Sequence, residues 1–186
     1  SKVPMKVTEF VISASGKSFI GSYKTIKYPP ALWKIIDEPI VNALDHVVRC
    51  LHSATPVTRL MVKLGRDGRI TVYNDGPGIE VEIHRAASTH LDRQIYTPTF
   101  LFGTLFQGSN QTRPDDSIIG GTNGLGAKLS NLFSTNFSIE TVDGHLFFTQ
   151  EWKAGMSEEG APVIATLDKV PKSKQTEHTL LSFTPD

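Results

Sequence analysis

Cysteine is almost absent from this sequence. Cys50 is the single one, so no disulfide can form within the chain. It falls at helical spacing with Val47 and Leu51, which reads as a buried thiol rather than a reactive one. A surplus of positive charge is also missing. Nineteen Lys and Arg residues balance nineteen Asp and Glu residues, whereas a protein that grips duplex DNA carries a basic excess. A major DNA-binding face is therefore disfavoured here, and only a local basic patch stays open. No apolar run reaches the length of a membrane span, and no charged-then-apolar leader opens the chain. An intracellular protein without a membrane partner fits these absences. There is no internal repeat and no low-complexity block. His84 and His90 have no Cys pair near them, so they do not form a zinc pattern.

What is present is an ordinary globular composition over 186 residues, enough for one domain with a real core. The start at Ser1 and the stop after "LLSFTPD" read as the limits of a piece cut from something larger. Residues 1–29 read as an N-terminal arm with short strands at "FVIS" and "SFIGSY". Residues 30–186 read as the domain proper. A helix is predicted from the pair Pro29-Pro30, because proline suits a first helical turn. Apolar residues then recur at helical spacing from Leu32 through Ile35, Ile36, Ile40, Ala43, Leu44, Val47 and Val48 to Leu51. "RLMVKL" and "RITVY" flank "GRDG" and predict a β-hairpin. Thr97 and Pro98 open a further helix through "TFLFGTLF". Residues 108–123 read as a long mobile loop and "LGAKLSNLF" as a short helix. "NFSIETV", "HLFFTQEW" and "TLLSFTP" read as late antiparallel strands. Early helices and late strands predict an α+β two-layer sandwich with a mixed, largely antiparallel sheet. Trp33 and Trp152 are expected to be packing residues.

Three stretches carry candidate chemistry. In "IIDEPIVNALDH" a helical wheel puts Glu38, Asn42 and Asp45 on one face, nearly opposite the apolar stripe. That face is either solvated surface or a site in which Asn42 supplies an oxygen to a Mg²⁺-phosphate and Glu38 deprotonates a water. Pro39 should remove the helical hydrogen bond to the Ile35 carbonyl and kink or loosen the helix beside Glu38. In "VYNDGPGIEV" the Asn-Asp-Gly run is either a plain turn or a place where Asn74 or Asp75 offers an oxygen to a purine amino group. In "IIGGTNGLGAKLSN" neither a P-loop nor a dinucleotide fingerprint matches. Ala127 stands at the P-loop lysine position, with Lys128 one residue late. A glycine loop feeding a helix start remains, which is either an anion site or a lid without ligand.

Together and in this order, these stretches resemble the N, G1 and G2 boxes of the GHKL ATPases, the Bergerat fold that includes DNA gyrase and the histidine kinases. The resemblance is closest to the ATPase domain of eukaryotic-type DNA topoisomerase II, through "ALWKIIDEPIVNALDH", "VYNDGPGIEV", "FLFGTLFQGSN" and "GGTNGLGAKLSNLFST" over about residues 28 to 185. It implies ATP and Mg²⁺ as cofactors, hydrolysis, homodimer closure and duplex DNA as a partner of the whole protein. By position, Glu38 matches the general base and Asn42 the Mg²⁺ ligand. Asn74 matches the adenine contact, and Ile79 is counted with it among the nucleotide-contacting residues. Ser109 and Asn110 match a segment that contacts ribose and phosphate. Asn123, Gly124, Leu125, Gly126 and Lys128 match the phosphate-wrapping loop, and Thr179 a late-strand threonine at the adenine end.

Four departures stand out. His46 replaces a phosphate-contacting Asn, which a protonated imidazole would serve better than a neutral one. Thr122 replaces an Arg, Leu125 replaces a Tyr, and Pro39 enters the helix. They point to a divergent lineage such as a large DNA virus. The resemblance therefore implies either a nuclear setting or cytoplasmic viral replication sites. The family also uses a Lys from a following transducer domain, so slow turnover is expected of this stretch alone.

Overall fold

The computed structural model describes residues 5–15, 18–105 and 126–186. The chain divides into two units, Ser1–Lys34 and Ile35–Asp186. In the first, strands β1 (Met5–Ser15) and β2 (Ser18–Tyr28) form an antiparallel hairpin. Both strands are longer than "FVIS" and "SFIGSY" suggest. Eleven residues pair continuously, from Met5 opposite Tyr28 to Ser15 opposite Ser18. Trp33 packs edge-on against Tyr28 at 5.9 Å between ring centroids. It is otherwise exposed, so the expected packing role is limited to one contact.

Helix α1 (Pro30–Arg49) begins at the second proline and runs without a break through Pro39. Its apolar residues wrap more than half of the helix circumference, so they cannot all face the core. Ile35, Pro39 and Ala43 are buried, and Ile36 and Ile40 pack beside them. Val41, Leu44 and Val48, and Leu51 just past the helix end, are exposed. This corrects the simple wheel. Glu38 and Asn42 flank the buried stripe and are half-buried, while Asp45 is exposed.

The second unit has one seven-stranded sheet. Its strands are β3 (Leu60–Leu64), β4 (Ile70–Asp75), β5 (Ser134–Val142), β6 (Leu146–Lys153), β7 (Glu158–Glu159), β8 (Val163–Thr166) and β9 (His178–Pro185). The order is β3-β4-β9-β5-β6-β7, with β8 also paired to β6. Every pairing among the described residues is antiparallel. The β3–β4 hairpin turns where "GRDG" places it. Gly68 takes a φ of 80°, the left-handed region that glycine enters without a Cβ clash. The Asp67 carboxylate accepts from the Arg69 N–H at 3.2 Å.

Alternation on the pleat sorts one sheet face into rows. Ile70, Phe183, Phe137 and Trp152 lie in one row; Val72, Leu181, Ile139 and Gln150 lie in the next. All eight are buried. Ile36, Ile40 and Ala43 of α1 join this core, with Leu101 and Phe102 of α3 (Thr97–Gly103) and Ala127 of α4 (Gly126–Leu132). Burying one such large apolar side chain contributes about 2 kcal/mol. The result is an α+β arrangement of helices over an antiparallel sheet.

Candidate functional site

A third row continues the same sheet face: Asn74, Thr179, Thr141 and Phe148. At the first three of these positions hydroxyl and amide groups replace the apolar pattern, while Phe148 stays in the core. Asn74 and Thr141 are buried, at 4% and 0% exposure. The Asn74 Nδ2 donates to its neighbour Asp75's carbonyl at 3.0 Å, which fixes the facing of the amide. The Thr141 hydroxyl lies 3.3 Å from the Thr179 hydroxyl, donates to the His178 carbonyl at 2.9 Å and accepts from the Ile79 N–H at 2.9 Å. Ile79 and Thr179 are thereby brought together through Thr141, and Asn74 lies opposite Thr179 in register.

The turn after β4 is locked around this row. Gly76 has a φ of 85°. Gly78 lies so close to the Val142 carbonyl that an added Cβ would overlap it. Asp75 serves the turn itself. Its carboxylate accepts from the Thr58 N–H at 2.8 Å, the Thr58 hydroxyl at 2.6 Å and the Arg59 N–H at 2.7 Å. Burial alone would raise the Asp75 pKa, yet it is lowered, because these hydrogen bonds favour the charged form. Of the two candidates for the purine amino group, Asp75 is thus occupied by structure and Asn74 lies in the polar row. Asp143 holds the other flank, accepting from the Val81 N–H at 2.8 Å.

Helix α1 supplies the second half. Glu38 lies against α4: a Cβ built on Gly126 would fall within the Glu38 carboxylate. Only glycine leaves that carboxylate in place. Asn42 is one helical turn further on, half-buried on the same side. His46, another turn along, bridges to the glycine turn. Its Nε2 lies 2.9 Å from the Pro77 carbonyl, which can only accept, so Nε2 carries the proton. Its pKa is lowered, chiefly by burial and also by nearby Arg49, against the opposing pull of the Pro77 bond. The neutral imidazole is therefore favoured at neutral pH, and it works as a tie between α1 and the turn. Lys128 is buried, with Nζ 4.5 Å from the centroid of the Phe100 ring. Burial lowers its pKa.

Ser109, Asn110, Thr122, Asn123, Gly124 and Leu125 lie outside the described residues, as does the whole of the loop at 108–123. Three contributors escaped the sequence reading. Thr141 sits in an unremarkable strand, and only the register shows that it faces Thr179. Ser130 and Asn131 of α4 are buried and anchor that helix. Asn131 Nδ2 donates to the Phe102 carbonyl at 2.9 Å, and Ser130 Oγ to the Ile35 carbonyl at 2.7 Å. His84 caps α2 (Arg85–Leu91), accepting from the Ala87 N–H at 3.1 Å, and stacks on Phe100 at 3.9 Å.

An apolar sheet face topped by a polar row, with an acid-bearing helix across it, defines a class. Residues 28–171 match the family model described as "Histidine kinase-, DNA gyrase B-, and HSP90-like ATPase", and the chain belongs to that family. Within it, the chain is similar to DNA topoisomerases II. It is 41% identical over 167 residues to a putative mitochondrial DNA topoisomerase 2 of Caenorhabditis elegans, covering 88% of this chain and 13% of that protein. It is 38% identical over 170 residues to the DNA topoisomerase 2 of Acanthamoeba polyphaga mimivirus, covering 88% of this chain and 12% of that protein. The ATPase region of Saccharomyces cerevisiae topoisomerase II superposes with a TM-score of 0.73 at 33% identity, covering 98% of this chain and 45% of that one. The chain thus spans about an eighth of the length of these two curated relatives. No helix among the described residues is long and apolar enough to cross a membrane.

Proposed function

We propose that this chain is the ATP-binding and ATP-hydrolysing gate region of a type II DNA topoisomerase. The observation that carries the reading is the seating of the Glu38 carboxylate against Gly126, in a chain of this ATPase family. Glu38 acts as general base: it orients a water and takes its proton as the water attacks the terminal phosphorus in line. Asn74 accepts from the adenine amino group, and Thr179 and the Ile79 segment line the same end. Ser109 and Asn110 contact ribose and phosphate. Asn123, Gly124, Leu125, Gly126 and Lys128 wrap the phosphates. His46 stands at the position of the family's phosphate-contacting Asn and ties α1 to the glycine turn beside the adenine end.

Asn42 fits a Mg²⁺ that is mostly ligated by phosphate and water. It offers an oxygen without charge, and no group of three or more His, Cys, Asp or Glu suited to a metal lies among the described residues. When bound, Mg²⁺ would neutralise phosphate charge. In the whole protein, nucleotide binding would close a homodimer around duplex DNA, in the nucleus or at viral replication sites.

The experiment is Glu38→Gln in the full-length protein. A non-hydrolysable ATP analogue should bind with unchanged affinity while turnover is lost. Absence of analogue binding with and without Mg²⁺ would remove the reading. A wild-type protein that binds and dimerises but never hydrolyses ATP would make it a nucleotide-switched dimerisation module instead.

A further inference from the structure

Proline at position 39 has no N–H to give to the Ile35 carbonyl, and its ring crowds that carbonyl outward. Pro39, Ile35 and Ser130 are all buried, so water cannot supply the missing donor. An unpartnered buried carbonyl is costly. Ser130 Oγ donates to it at 2.7 Å, across 95 residues of sequence. The serine belongs to a well-fixed helix. One residue on, Asn131 is bonded to the Phe102 carbonyl, and the Ser130 carbonyl itself accepts from the Ser134 hydroxyl at 2.6 Å.

The same helix touches the same turn of α1 a second time. Four residues before Ser130, Gly126 lies against the Glu38 carboxylate. Residues four apart lie on one helix face, so one face of α4 meets both Ile35 and Glu38. We propose that Ser130 is a positioning residue for Glu38: its hydroxyl takes the place of the helical bond that Pro39 removes and holds the Glu38 turn against α4. The positioning role rests on the ATPase reading of Glu38; the hydrogen-bond exchange does not.

The test is a double-mutant cycle with Pro39→Ala, which restores an N–H for the Ile35 carbonyl. In the Pro39 background, Ser130→Ala should lower the folded-to-unfolded ratio in urea roughly ten-fold, the cost of stranding a buried carbonyl. In the Pro39→Ala background the same change should cost less than about two-fold. ATP hydrolysis by the full-length protein should fall on the order of ten-fold in kcat for Ser130→Ala with KM unchanged, and recover in the double variant. Ser130→Cys, with a weaker donor of similar shape, should lie between and covers the case in which Ser130→Ala does not fold. Equal effects of Ser130→Ala in both backgrounds would overturn the exchange. Strong coupling in stability with kcat unmoved would overturn the positioning role. Coupling in a wild-type protein that hydrolyses no ATP would overturn the functional reading, and the positioning role with it, while the exchange stands.

Discussion

Replacing Thr141 with Val exchanges a hydroxyl for a methyl at constant shape, inside a side chain with 0% exposure. The hydroxyl's partners are the Ile79 N–H, the His178 carbonyl and the Thr179 hydroxyl. The Ile79 N–H suffers most. It has one proton to donate, and a Val methyl cannot accept it. The His178 carbonyl keeps a second lone pair, and the Thr179 hydroxyl can rotate, so both lose less. Stranding one partly buried N–H costs about 1–3 kcal/mol, and a central value of ~2 kcal/mol is reasonable here. For a domain of this size that lowers Tm by roughly 4–8 °C. Urea unfolding and thermal melting read the change directly. Thr141→Ser keeps the hydroxyl and should hold most of the stability, which separates the hydrogen bond from the packing. A Thr141→Val protein as stable as wild type would show that the Ile79 N–H is satisfied elsewhere, and the account of the polar row would fail. On the proposed ATP reading, Thr141→Val should also weaken binding of ATP and ADP alike, since both share the base.

Two further predictions follow from other contacts. Gly126→Ala places a methyl in the Glu38 carboxylate, so ATP turnover should drop while the fold loses about 1–3 kcal/mol at most; unchanged turnover, measured by phosphate release, would separate Glu38 from the chemistry. Glu140 accepts from Lys174 at 2.6 Å and faces His178 Nε2 at 3.2 Å. Burial works against both charges, but the mutual bonds dominate: the His178 pKa is raised and the Glu140 pKa lowered. The His178 contribution is full below its ordinary 6.5 and fades as pH rises through its raised folded value. The Glu140 contribution is present above its ordinary 4.5 and fades as pH falls through its depressed folded value. The stability gap between wild type and Glu140→Gln should therefore be widest between about pH 4.5 and 6.5 and narrow toward pH 9. A gap that is flat with pH would refute the pairing.

Much of the fold was legible because its signals are local. The Pro29-Pro30 start, the period of α1 and the "GRDG" turn each depend on a few neighbouring residues. The exposed back of α1 was not legible, since apolar residues on more than half of a helix do not say which of them meet the sheet. Helix α2 and the short strands β7 and β8 carry little periodicity. Strand β7 has two glutamates and owes its place to pairing with Trp152 and Lys153. In the candidate site, Asn74 and the glycine turn could be picked out by residue type. Thr141 and Ser130 could not, because their roles depend on register and on contacts spanning 62 and 95 residues. Pro39 shows the limit most clearly. The lost helical bond was predictable from one residue, but its replacement donor was not.

Among the described residues, strand β9 follows every other strand in sequence yet lies between β4 and β5. On a ribosome, β4 and β5 emerge with a vacant lane between them. Neither edge is paired until β9 has emerged. Until then the polar row lacks Thr179, the rung between Asn74 and Thr141, and the two flanking edges stay open to wrong partners. The polar row is thus completed only when β9, the strand made after its neighbours, is in place.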